Sequence, residues 1–197
     1  MSQYHHGNLR NALLTIATEL LSEDGVHSLS LRKMAQRAGV SHNAPYMHFA
    51  DKEAVLAAIA EEGFRLLSVE VESAISHANT TRLRLIEASN AYVNFALNHP
   101  NHVQVMFCPY DAEKYPSLLE ASQASLNRLF ELVKSGQEKG ELISGDTQAM
   151  TKSVWAMVHG VATLSIAYKT RALLPEKIST KETISVFIDC LLTGLAP

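Results

Sequence analysis

The chain predicts an all-α protein of about nine helices, and three observations carry that expectation. Apolar residues return at helical spacing through nearly every segment. No segment of strand length alternates apolar and polar side chains, and no internal repeat is present. Most of the glycines and prolines, among them Gly25, Gly39, Pro100, Pro109, Pro116, Gly140, Gly145 and Pro175, fall between the periodic segments and punctuate them.

Gly7 to Asp24 reads as the first helix, with Leu9, Leu13, Ile16, Ala17, Leu20 and Leu21 on one face and Gly25 ending it. In the second, Leu31, Met34, Ala35 and Ala38 share a face, and Gly39 supplies the left-handed conformation that reverses the chain. Val40 is apolar and can plug the angle that follows, and Ser41 is a suitable N-cap for a third helix. Pro45 falls early in that helix, where a missing N–H costs little. Phe49 and Ala50 form a link, and Asp51 caps a long fourth helix from about Lys52 to His77. Further helices are expected over Thr81 to Asn98, around Asn101 to Phe107, from Pro116 to about Lys139, from Asp146 or Thr147 to about Thr170, and from about Ser179 to Leu195.

Two short helices joined by a glycine turn form the helix-turn-helix arrangement, whose second helix enters the DNA major groove. His42, Asn43, Tyr46 and His48 give that helix a polar surface. Asn43 can pair with an adenine edge, Tyr46 suits a phosphate oxygen, and Lys52 can add a positive charge beside the same backbone. The plainer alternative is a helical corner whose polar residues are simply solvated.

Composition is that of an ordinary globular chain: 197 residues, 47 % hydrophobic and 19 % charged. No apolar run reaches the roughly 18 residues a membrane helix needs. The opening MSQYHHGNLR lacks a signal-peptide core, so a cytoplasmic protein without membrane association is expected. Cys108 and Cys190 show no paired spacing and read as buried thiols rather than a disulfide or zinc framework. Net charge is −3, unevenly spread: residues 1–52 carry five basic and four acidic residues, and the rest carries the acidic excess. A mildly basic head on an acidic body fits a DNA-reading module.

No phosphate loop, nucleophile elbow or HExxH sequence occurs, so no enzyme chemistry, cofactor or metal is expected. His99 and His102 could share a metal, but Pro100 stands between them and no Glu-x-x-His motif accompanies them. Phe64, Tyr92, Phe95, Met106, Phe107 and Trp155 supply aromatic and soft side chains from several helices as candidate ligand-binding residues. His159 lies one turn after Trp155 on an apolar helix, followed by Gly160. It is either a hydrogen-bonded core residue or the polar group that orients a small ligand in an apolar pocket. The last two helices are apolar on more than one face, so Val158, Ile184, Phe187, Ile188 and Leu191 are expected to form a two-fold dimer interface.

The motif set Leu13, Ala17, Leu20, Gly25, Ser30 to Ala35, Gly39-Val40-Ser41, Tyr46, His48-Phe49, Asp51-Lys52 and Leu56 resembles the tetracycline-repressor family of bacterial transcription regulators. The opening Tyr4 to Arg10, with Trp155, His159 and Gly160, resembles one subset of it, marked by Trp, His and Gly in the regulatory domain. Pro45 departs from the usual branched aliphatic residue at its position. The resemblance implies a helix-turn-helix domain over 1–52 and a helical regulatory and dimerisation domain over 53–197. It implies that Ser30 and Arg32 contact phosphates, that His42, Asn43 and Ala44 face bases, and that Tyr46, His48 and Lys52 hold the backbone. The expected function is a homodimeric repressor, released from a palindromic DNA operator by a small apolar or aromatic inducer. The alternatives are an all-helical small-molecule-binding protein that does not bind DNA, and a helical-bundle enzyme, which the lack of any acid–base or metal set disfavours.

Overall fold

A computed structural model describes residues 9–171 and 181–195, and these are helical with no strand among them. The helices are α1 (Leu9–Ser28), α2 (Leu31–Ala38), α3 (Lys52–Ile75), α4 (Thr81–Asn98), α5 (Pro100–Met106), α6 (Pro116–Glu138), α7 (Thr147–Arg171) and α8 (Lys181–Leu195). A single 3₁₀ turn, Pro45–Met47, stands between α2 and α3. The Tyr4–Asn8 opening and Pro175 lie outside the described residues.

The ends of α2 follow from their residues. Ser30 is extended, and its hydroxyl accepts from the Lys33 N–H at 3.3 Å. Gly39 takes φ 66° and ψ 28°, so Val40 N–H reaches the Ala35 carbonyl at 3.1 Å and Gly39 N–H reaches Gln36 at 3.3 Å. Gly25, at φ 76° and ψ 175°, breaks α1 near its end as the sequence predicts. Asp51 caps α3 by accepting from the Ala54 N–H at 2.8 Å, and Thr80 caps α4 through the Leu83 N–H at 3.2 Å.

The segment after Ser41 differs from the regular helix that the sequence predicts. Its bonds close three-residue turns: Ala44 N–H to Ser41 (3.0 Å), Met47 N–H to Ala44 (3.2 Å) and His48 N–H to Pro45 (3.0 Å). Pro45 has no N–H with which to start the four-residue ladder, so the chain tightens into 3₁₀ geometry. The cap position falls to Ala44, which makes no side-chain bond, rather than to Ser41.

The chain packs as two compact units. One comprises residues 1–63 and 101–119, with Leu13, Met34, Phe49, Val55 and Ile59 in its core. The other comprises residues 64–100 and 120–197. There α4 packs on α7 and α8, with Leu85, Val93, Phe95, Val133, Val154 and Ile188 buried. This packing corrects part of the expected dimer surface. Val158, Ile184 and Ile188 are 7 %, 4 % and 0 % exposed within the protomer and form its core, while Phe187 is exposed and Leu191 half-buried. A helix with apolar residues all round turns one stripe to its own chain first, and here that stripe faces α4.

Candidate nucleic-acid interface and effector site

The turn after Gly39 presents a continuous outward surface. Pro45 and Phe49 are buried and anchor it, which forces the residues between them outward. His42, Asn43 and His48 are exposed, Tyr46 is 51 % exposed and Met47 82 % exposed. His42 meets Tyr46 edge to face at 5.9 Å, so the two rings brace one another. Ala44 is half-buried, and Arg32 stands exposed on α2. Ser30 is the cap of α2, and the same hydroxyl keeps lone-pair capacity for a second partner. Lys52 Nζ donates to the His27 carbonyl at 3.3 Å, tying the start of α3 to the end of α1.

Other charges of this unit are spent on holding it together. Arg37 makes two 2.6 Å hydrogen bonds to Glu23, and Lys33 lies 3.4 Å from Asp24. The Arg37 guanidinium keeps the Glu23 carboxyl below its ordinary range. Met47 is the residue that sequence reasoning passed over. Its signal was its place between two residues four apart, Pro45 and Phe49, that both face inward. An exposed thioether there can lie against a thymine methyl, the one apolar group in the major groove.

In the second unit Tyr92, Trp155 and His159 come together from α4 and α7. Tyr92 Oη lies 2.8 Å from His159 Nδ1. The indole of Trp155 stacks on the imidazole with centroids 5.6 Å apart at 28°. Tyr92 and His159 share one hydrogen bond, and the imidazole tautomer sets its direction. Burial raises the Tyr92 hydroxyl above its ordinary pKa and lowers that of His159, so both rings stay neutral at pH 7. A recess of about 10 Å³, room for about one water, is lined by Ser89, Val93, Met157, Val158, Val161, Ile184, Phe187 and Ile188.

Phe95 is buried with its ring 4.9 Å from that of His99. Phe64 is a buried residue of α3. Met106 and Phe107 belong to the first unit, where Met106 packs over Gly63 and Phe107 is exposed. His99 and His102 face different carboxylates, Glu70 and Glu62, each at 3.7 Å. Both cysteines are exposed, contrary to the expectation of buried thiols, because Cys108 follows the end of α5 and Cys190 lies on the open side of α8.

A helix-turn-helix with an outward polar and aromatic surface, together with a separate helical unit, defines a DNA-binding transcription regulator. Residues 13–59 match the model of bacterial regulatory proteins of the tetR family, and residues 85–187 match the tetracyclin repressor-like C-terminal domain. The chain belongs to the tetracycline-repressor family, one of transcription regulators rather than enzymes. It is 47 % identical over 51 residues to the class A tetracycline repressor of transposon 1721 from Escherichia coli, a match covering 26 % of this chain and 24 % of that protein. The chain thus aligns with only about a quarter of the length of the curated tetracycline repressors that it resembles. A Rhodococcus sp. RHA1 protein of unknown function shares the whole fold at 36 % identity and a TM-score of 0.84, with 100 % of each chain covered. The fold also matches that of the regulator FadR of Bacillus subtilis, solved with stearoyl-CoA, at 18 % identity and a TM-score of 0.77, covering 94 % of this chain and 98 % of that one. No described helix is long and apolar enough to cross a membrane.

Proposed function

We propose that this chain is a homodimeric repressor, its head spanning residues 1–52 and its regulatory body residues 53–197. It leaves a palindromic operator when a small, largely apolar or aromatic effector binds the body. One observation carries the DNA part: the segment after Ser41, anchored by buried Pro45 and Phe49, exposes His42, Asn43, Tyr46, Met47 and His48, with His42 against Tyr46. In this reading Asn43, His42, Ala44 and Met47 meet base edges, while Ser30, Arg32, Tyr46, His48 and Lys52 meet the phosphate backbone. The Tyr92–His159 pair, with Trp155 stacked on the imidazole, supports the effector part. In this reading the Tyr92–His159 pair supplies the polar group that orients the effector.

The test begins with a duplex selected by the purified protein from a random-sequence library. The selected consensus is expected to be an imperfect palindrome with half-sites about one helical turn apart. Asn43→Ala is expected to weaken binding to it by about 1–3 kcal/mol and to relax base preference at a single position per half-site. Fluorescence anisotropy on the consensus and its point variants reads both. Equal affinity of wild type and Asn43→Ala on every variant would remove the recognition surface from this turn.

A further inference from the structure

The loop between α5 and α6 brings a cation to the start of α3 from more than sixty positions away in sequence. Lys114 Nζ lies 2.6 Å from Glu53 Oε2 and 3.3 Å from Asp51 Oδ2. The loop is built to hold it there. Asp111 Oδ1 accepts from the Glu113 and Lys114 N–H groups at 2.9 and 3.4 Å. The Tyr115 N–H bonds back to the Asp111 carbonyl at 3.0 Å, and Lys114 Nζ sits 5.0 Å over the Tyr115 ring. Tyr110 braces Tyr115 edge to face at 6.0 Å and donates its hydroxyl to the Val105 carbonyl at 3.0 Å. All of these residues belong to the first compact unit.

The position of the two carboxylates makes this pairing consequential. Asp51 and Glu53 flank Lys52 and follow His48 by only a few residues, at the edge assigned above to the phosphate backbone. Both are exposed, and uncompensated they would repel phosphate and offset the positive end of the α3 dipole. We infer that Lys114 is a positioning residue for DNA binding: it neutralises Asp51 and Glu53 and fixes the start of α3, so that the phosphate-facing edge of the head carries net positive charge. This inference rests on the reading of the head as a DNA interface. The Asp51 carboxyl is held below its ordinary range by the Ala54 N–H and Lys114, and the Lys114 ammonium above its own, chiefly by Glu53, in keeping with a persistent pair.

The experiment compares wild type, Lys114→Gln, Lys114→Gln/Glu53→Gln and Asn43→Ala on the selected duplex and on an unrelated duplex, by anisotropy across salt, with melting temperatures recorded for all. Lys114→Gln is expected to weaken both duplexes about five- to tenfold at about 0.05 M salt and by less than about twofold at about 0.5 M, because screening removes the exposed repulsion. Adding Glu53→Gln removes the uncompensated charge and is expected to restore affinity to within about twofold of wild type. Unchanged affinity of Lys114→Gln at low salt, with Asn43→Ala still weakened, overturns the inference and leaves the DNA interface standing. A loss that Glu53→Gln does not rescue overturns it in favour of a direct phosphate contact by Lys114, or of a structural role if the melting temperature falls as well. A wild type that selects no duplex overturns both.

Discussion

His159 shares a hydrogen bond with Tyr92 through Nδ1 and stacks on Trp155, so an added proton places a charge in a partly desolvated site. Burial accordingly lowers its pKa below the unfolded value. Through the window between about pH 6.5 and that lower folded value, the unfolded chain binds more protons than the folded one. Stability is therefore highest above this window and falls as the pH drops through it. The loss of melting temperature between about pH 8 and pH 5 is expected to be smaller in His159→Asn than in wild type, since asparagine can accept from Tyr92 without titrating. Calorimetry on the two proteins across that range checks it. For the effector, His159→Ala is expected to leave operator affinity intact and blunt ligand-driven release, because only differential contact with the two states can shift their balance. A lowered melting temperature with a normal release curve would place His159 in the core instead.

At the scale of elements, two glycines separate backbone freedom from close packing. A Cβ at Gly39 would meet nothing within 4 Å, so Gly39→Ala pays only for its left-handed backbone, about 1–2 kcal/mol. At Gly136 in α6 the same atom would lie 2.6 Å from Thr81 Cγ2 and 2.8 Å from Leu142 Cδ1, side chains that are themselves buried. Gly136→Ala is expected to force these apart at a cost of about 1–3 kcal/mol. Urea unfolding of both variants measures the pair, and DNA affinity is expected to fall only for Gly39→Ala. What the sequence made legible has the same division. Gly25, Gly39 and Asp51 mark their element ends locally, so the order of helices could be read directly. The 3₁₀ form of the recognition turn was not, although Pro45 carried its cause. Which face of α8 turns inward depends on α4, about a hundred residues away, and nothing within α8 itself distinguishes Ile188 from Phe187 or Leu191. The Lys114 contact was invisible for the same reason, since it joins residues 61 and 63 positions apart.

For the whole molecule, the question is what covers the apolar residues that α7 and α8 leave outside their own protomer. Leu164 is 48 % exposed, Val186 58 % and Phe187 37 %. In the proposed dimer a second copy covers them. Leu164→Asp and Val186→Asp are expected to yield monomers of normal helical content, because the new carboxylate is solvated in the free protomer and buried unpaired only in the pair. Sedimentation velocity with circular dichroism distinguishes this from misfolding, and persistence of dimers in both variants would move the interface elsewhere.

Trp155 is the only tryptophan in the chain, and its ring stacks directly on the imidazole of His159. The protein therefore carries its own optical reporter at the candidate effector site. An imidazolium quenches indole emission by direct contact, so fluorescence should dim as the pH falls and His159 takes up a proton, and under those acid conditions a ligand that parts the two rings should brighten it. Occupancy could then be followed in the unlabelled protein, in the same cuvette that records release from DNA.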